Sequence, residues 1–137
     1  MTIKQLSIFM ENKYGTLVKV LQILKKKETQ IIASTIADTA DYGICRIICD
    51  KPDVAYEALK EEGIAVSLCD VFAIQLEDKP GSASDVIGSF ASAGININYL
   101  YSFLFKGNGV LIFKTDNVEG AKKIIDQKDY SSFKSIM

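Results

Sequence analysis

Glu11-Asn12-Lys13-Tyr14-Gly15 returns as Glu77-Asp78-Lys79-Pro80-Gly81, so that Gly15 and Gly81 stand 66 positions apart, and much of the chain keeps that offset. Leu6, Ile8 and Met10 return as Phe72, Ile74 and Leu76. Gly43 pairs with Gly109, Ile44 with Val110, Asp50 with Asp116, Ala55 with Ala121 and Leu59 with Ile125. An offset held without insertion describes one module used twice, and it limits fold and function together. The expected domains are residues 1–69 and 70–137.

Two modules of this size face a shortage of burial. Each covers barely enough apolar surface to stand alone, so the copies are expected to pack on each other or on a second chain, and a homodimer is the expected assembly. Apolar residues make up 48% of the 137, which is ample for a core. A net charge of −1 offers no electrostatic footprint for nucleic acid or an anionic membrane. Arg46 is the only Arg among the cations, which argues against clustered bidentate recognition of phosphate. No apolar run approaches the ~20 residues that span a bilayer. The start, MTIKQLSIF, alternates directly into a strand and does not read as a signal peptide, so the expected location is the cytoplasm. Cys45, Cys49 and Cys69 form no CxxC pair. Cys45 and Cys49 lie four apart in a strand-like run and read as small buried hydrophobes on one face, with Arg46 on the other.

Periodicity orders the module. Ile3 to Met10 alternates as a half-buried strand, and Glu11 to Gly15 is a tight loop. Thr16 to Lys27 is helical, with Leu17, Val20, Leu21 and Leu24 inward and Lys25 to Lys27 at the negative end of the dipole. Ile31 to Ala37 and Tyr42 to Cys49 are strands. A helix opening at Asp50-Lys51-Pro52-Asp53 carries Ala55, Ala58 and Leu59 and closes at Gly63, before a last strand from Ile64 to Leu68. The copy runs as strand Val71 to Leu76, loop Asp78 to Gly81, and helix Ser82 to Ala93 with Ala83, Val86, Ile87 and Phe90 inward. A long strand from Ile95 through Phe103 follows, then strand Gly109 to Thr115. Asp116-Asn117-Val118-Glu119 has capping-box spacing, with Asp116 as N-cap. A helix with Ala121, Ile124 and Ile125 on its face and a final strand from Tyr130 to Ile136 end the series. The fold class is α+β: two tandem ferredoxin-like βαββαβ units, each an antiparallel four-stranded sheet with two helices on one face. Leu68-Cys69-Asp70-Val71 leaves no linker between the copies.

Catalytic chemistry finds little support. The chain has no His, and no nucleophile–base pair, metal-ligand spacing, GxGxxG or GxxxxGK[ST] occurs, so no catalytic residue, metal or cofactor is assigned. What remains is the strand–loop–helix turn, ENKYGT and EDKPGS. Glycine there permits the turn, which is its plainest role. It also lets a ligand approach the backbone, where the N–H groups of the first helical turn suit a carboxylate. The loop is expected to share a cleft with the start of the next strand, Gly94-Ile95-Asn96-Ile97-Asn98, whose amides suit a zwitterion. Tyr99, Tyr101, Phe103 and Phe105 alternate on a strand and read as core before they read as an aromatic pocket.

EDKPG followed by GININ resembles the ACT domain, a ferredoxin-like small-molecule-binding module, and ENKYG followed by QII resembles it less closely; together they cover essentially the whole chain. The resemblance implies binding of a free amino acid as allosteric feedback on a metabolic enzyme, between paired domains. It implies that Asn12 and Asp78 contact the ligand's polar end, and that the turns take its carboxylate. Those turns are Tyr14, Gly15, Thr16 and Leu17 in the first copy and Lys79, Pro80, Gly81, Ser82 and Ala83 in the second. Asn96, with Ile97 and Asn98 beside it, fills the amide position; Gln30 and Ile31 stand there in the first copy.

The expectation is therefore a non-enzymatic regulator that senses an amino acid and changes its association with a separate enzyme. Apolar, aromatic and amide neighbours favour an apolar, aromatic or imidazole-bearing ligand. The alternative is a structural or interaction subunit with no ligand of its own. Two other uses of the fold fare worse. Lys106-Gly107 with Val110 to Phe113 only faintly matches an RNA-binding pattern without its aromatics, and an acylphosphatase needs an Arg in the first strand–helix loop.

Overall fold

Alternation and helical periodicity resolve along the chain into β1 (Thr2–Glu11), α1 (Thr16–Lys26), β2 (Ile31–Asp38), β3 (Tyr42–Cys49), α2 (Pro52–Glu61) and β4 (Val66–Leu76). They are followed by α3 (Ser82–Ser92), β5 (Tyr99–Phe105), β6 (Asn108–Lys114), α4 (Val118–Lys128) and a 3-10 turn at Phe133–Ser135. The structure, a computed structural model, describes residues 2–11, 13–38 and 42–137. The chain divides into two units, Lys4–Asp70 and Val71–Met137, the second also taking the chain's first residues through Ile3.

In the first unit the strand order is β2-β3-β1 with the beginning of β4 beside β1. Leu6 lies opposite Ile47 and Glu11 opposite Tyr42, antiparallel, and β2 continues the pattern from Ile36 opposite Cys45 to Asp38 opposite Gly43. The alternate residues Leu6, Ile8 and Met10 of β1 and Cys45, Ile47 and Cys49 of β3 form one face of the core. Against it α1 sets Val20, Ile23 and Leu24, and α2 sets Ala55, Ala58 and Leu59. Leu21, expected inward, is 38% exposed, and Ile23 takes its place on the buried face.

The second unit repeats this with aromatic filling. The end of β4 pairs with β6, Phe72 opposite Phe113 and Leu76 opposite Gly109, and β5 pairs on the far side of β6. Phe72, Phe113 and Phe90 replace Leu6, Ile47 and Leu24 of the first copy; Phe72 stacks on Phe113 at 5.1 Å and Phe90 tilts against it at 4.9 Å. Val86 and Phe90 of α3 and Ala121 and Ile125 of α4 close the core, while Ala83, expected inward, is exposed.

Four expectations change at element boundaries. The strands read as Ile64–Leu68 and Val71–Leu76 are one continuous β4, because Cys69 and Asp70 between them are held beside β1. The Gln5 Nε2 donates to Cys69 Sγ at 3.6 Å, and Lys4 Nζ pairs with Asp70 at 3.0 Å. β5 begins at Tyr99; Ile95 to Asn98 lie outside the regular strand. The N-cap of α4 is Asn117, whose side chain accepts from the Gly120 N–H at 3.0 Å, while Asp116 accepts from Asn98 Nδ2 at 3.1 Å. The final strand from Tyr130 to Ile136 is reduced to one bridge, Ser132 with Ile74, and a 3-10 turn capped by the Ser132 hydroxyl.

That tail is anchored by a fully buried ring. Phe133 is 0% exposed and meets Phe103 and Phe105 edge-on at 5.7 and 5.2 Å. The half-buried aromatic stripe of β5 thus seats the tail. Phe133→Ala is expected to cost about 3–5 kcal/mol, read by urea denaturation; a loss under about 1 kcal/mol would mean that the tail is dispensable. Burial also pushes the Cys49 thiol up to about 11 from 9.0. Between those values the unfolded chain loses a proton that the native thiol keeps, so stability should fall as pH rises, by on the order of 2 kcal/mol. Cys49→Ala should flatten that fall in alkaline denaturation curves.

Candidate ligand-binding site

Each strand–helix junction is closed by the same backbone device. Lys13 N–H donates to Glu11 O at 2.8 Å, and Lys79 N–H to Glu77 O at 2.9 Å. Gly15 at φ +80° and Gly81 at φ +87° then turn the chain into its helix, in a region that L side chains seldom enter. Lys19 N–H donates to Gly15 O and Asp85 N–H to Gly81 O, so both helices start on the glycine itself. Among the described residues no side chain caps either N-terminus; Thr16 N–H donates to Lys13 O at 3.5 Å and Ser82 N–H to Lys79 O at 3.3 Å, and the first-turn N–H groups that follow them lie at the positive end of the dipole. In each copy an ion pair spans the turn, Glu11 with Lys13 at 2.5 Å and Glu77 with Lys79 at 2.6 Å. Accepting the hydrogen bond from its Lys partner holds the Glu77 carboxyl below its usual range and raises Lys79; Glu11 raises Lys13 likewise.

Beside each turn lies a cavity. In the first unit it measures about 370 Å³ and is lined by the end of β1 (Phe9, Met10, Glu11), the turn and helix start (Lys13, Thr16, Lys19, Val20), Tyr42 of β3, and Gly63, Ile64 and Ala65 after α2. In the second it measures about 480 Å³, between Gln75, Leu76 and Glu77 of the strand end, Lys79, Ser82, Asp85 and Val86, Asn108 of β6, and Lys128 to Ser131 after α4. Every residue lining the first has its counterpart, 66 positions on, in the lining of the second. Both volumes fall in the range of small-molecule sites.

The residues singled out in the sequence divide between two places. Thr16, Lys79 and Ser82 line the cavities. Gly15 and Gly81 shape the turns beside them, and Asp78, Pro80 and Ala83 are exposed there. Tyr14 is fully exposed, Leu17 packs on the first core, and Asn12 lies outside the described residues. Gln30, Ile31, Asn96, Ile97 and Asn98 are elsewhere. The turn follows Leu76, opposite Gly109, whereas Tyr99 pairs with Lys114 at the other end of β6. At about 3.3 Å per residue the two ends are about 17 Å apart. The expected cleft shared by the turn and the start of the second strand is therefore not formed within either unit: the crossover helix returns the chain to the opposite end of the sheet. There Asn98 is bonded to Asp116, and Gln30 N–H to Asp50 Oδ1 at 2.8 Å.

Sequence reasoning missed the lining contributed by β3 and β6 and by the segments after α2 and α4. The only signal was the repeat itself, since Tyr42 and Asn108, and Gly63 to Ala65 and Asp129 to Ser131, are related by it. Among the described residues no cluster of acidic or sulfur side chains could hold a metal ion, and no helix is long and apolar enough to cross a membrane.

Comparison with known proteins gives a match to the ACT domain pair over residues 1–135. No curated protein matches. A crystal structure of a protein from Bacteroides thetaiotaomicron is 37% identical, covering 96% of this chain and 91% of its own, with a TM-score of 0.90. The regulatory subunits of aspartate kinase from Thermus thermophilus (ligand-free) and Thermus flavus are each 18% identical over 93% of this chain, with 96% and 94% of their own lengths covered. Their TM-scores are 0.63 and 0.60, and at that identity they speak to the fold alone.

The turn geometry sets a hierarchy among glycines. A Cβ at Gly81 would meet nothing within 4 Å, so Gly81→Ala carries only the left-handed penalty, about 1–2 kcal/mol. A Cβ at Gly109 would collide with the Leu76 carbonyl oxygen on the paired strand. Gly109→Ala should therefore destabilise more than Gly81→Ala in chemical denaturation; the reverse order would contradict the strand register.

Proposed function

The chain belongs to the ACT domain pair family, a regulatory and not a catalytic domain type, and from that premise we propose that it binds a free amino acid and thereby modulates a separate metabolic enzyme. The observation that carries the reading is the cavity at the uncapped start of α1 and again at that of α3. A ligand carboxylate suits the uncapped N–H groups of the first helical turn, and Asp78 is exposed at the second turn, at the sequence position that Asn12 holds in the first copy. Leu76, Val86 and Tyr130 within an otherwise polar lining support an apolar, aromatic or imidazole-bearing side chain. Binding acts on a partner by favouring one arrangement over another, as any allosteric ligand must. A homodimer in the cytoplasm completes the proposal, supported by the small core of each unit and by exposed apolar side chains such as Phe9 and Leu104.

Thermal-shift scans with each of the twenty free amino acids test it. At 100 times its dissociation constant a ligand adds about 2.7 kcal/mol, several degrees for domains this small. One amino acid should raise the melting temperature of wild type, and the shift should disappear in Asp78→Ala if the second copy holds the ligand or in Asn12→Ala if the first does. Silence from all twenty would favour a structural subunit with no ligand of its own.

A further inference from the structure

The two cavities are built alike and finished differently. At the first helical residue of the first copy, Thr16 Oγ1 donates within its own turn, with Lys13 O at 2.8 Å and Glu11 O at 3.2 Å as acceptors. Its counterpart Ser82 is only 7% exposed, lines the second cavity, and has a buried hydroxyl with no hydrogen-bond partner among the described residues. Leaving a buried hydroxyl unsatisfied is costly, and the polar neighbours do not relieve it. Glu77 and Lys79 hold each other, Gln75 Nε2 donates to Ser132 O and Ser135 Oγ, and the Tyr130 hydroxyl bonds to Ser89.

Charge separates the copies as well. With each Glu–Lys pair across the turn neutral, the first cavity keeps Lys19. The second has Asp85 in its place and Asp129 where the first has Gly63, against Lys128. Among the described residues the lining therefore passes from a surplus of positive charge to a surplus of negative charge.

We propose that the second copy alone is the amino-acid site of this chain. In it the Ser82 hydroxyl donates to the ligand carboxylate at the start of α3, and Asp85 and Asp129 select a ligand that also carries an ammonium group. This rests on the amino-acid reading above and assigns the copy, the contact and the ligand chemistry within it. Thr16, turned to its own carbonyls, does not offer the first cavity an equivalent donor. Ser82 is then a specificity-determining residue whose cost to the empty protein is recovered only on binding.

Isothermal titration of the full chain with the amino acid identified among the twenty decides the matter. The expected result is one site per chain, weakened at least tenfold in Ser82→Ala and changed less than twofold in Thr16→Ala. The 2-hydroxy acid of the same carbon skeleton should bind at least tenfold more weakly than the amino acid. Folding is controlled internally: removing an unpartnered hydroxyl should leave the melting temperature of unliganded Ser82→Ala equal to or above that of wild type. Unchanged affinity in Ser82→Ala, an equal loss in Thr16→Ala, two equivalent sites, or a hydroxy acid that binds as well would each overturn the proposal while leaving amino-acid binding intact. No heat from any of the twenty with folded wild type would overturn the underlying reading, and this assignment with it.

Discussion

A backbone turned into the left-handed region at Gly15 and at Gly81 governs each unit. That conformation ends the strand, starts the helix on the glycine carbonyl, and lays the helix back across the sheet so that Val20 and Val86 reach their cores. Because glycine has no side chain to serve as a cap, the first-turn N–H groups beyond those of Thr16 and Ser82 have no side-chain cap beside the cavity. The same feature that permits the fold thus supplies a place for an anion. Repeating the turn repeats both the packing and the opening, which is why each described residue lining the first cavity has its counterpart in the second.

Where local pattern and tertiary context agree, the fold is legible in the residues themselves. Tyr42–Cys49 is a strand at the predicted bounds, since alternation puts Cys45, Ile47 and Cys49 on one face and half-buried Arg46 on the other. The copy relation carries the ferredoxin-like order through both halves. Local pattern fails where a long-range contact decides. Nothing local says that Cys69 and Asp70 continue a strand; Gln5 and Lys4, far off in sequence, hold them in it. The capping-box spacing at Asp116 loses to Asn117, because Asn98 engages the Asp116 carboxylate. Ser131 and Ser132 lack the alternation of a strand, and burial of Phe133 draws the chain out of it.

The candidate site is half legible. Glycine at a strand–helix turn has a sequence signature, and Thr16, Lys79 and Ser82 follow from it. The opposite wall has none: Asp129, Tyr130 and Ser131 reach the cavity because α4 runs back to that end of the sheet. The pairing of Asn96 with the turn of its own unit fails on topology, as a crossover helix carries the chain the length of the sheet before the next strand begins. A motif match, however apt its residues, does not report which end of an element a residue occupies.

The tail of the second unit has a consequence for solubility. A strand edge with a free ladder of N–H and C=O groups invites pairing with another chain. Along the end of β4 that ladder is engaged by a segment that cannot pass it on. Gln75 N–H donates to Ser131 O at 2.7 Å, Ser132 makes a single bridge, and the backbone then coils into its 3-10 turn with Phe133 seated beneath Phe103 and Phe105. A strand in that position would have presented a fresh edge of its own. The short, coiled closure ends the hydrogen-bonded series there, and so protects a small β-rich unit against edge-to-edge aggregation.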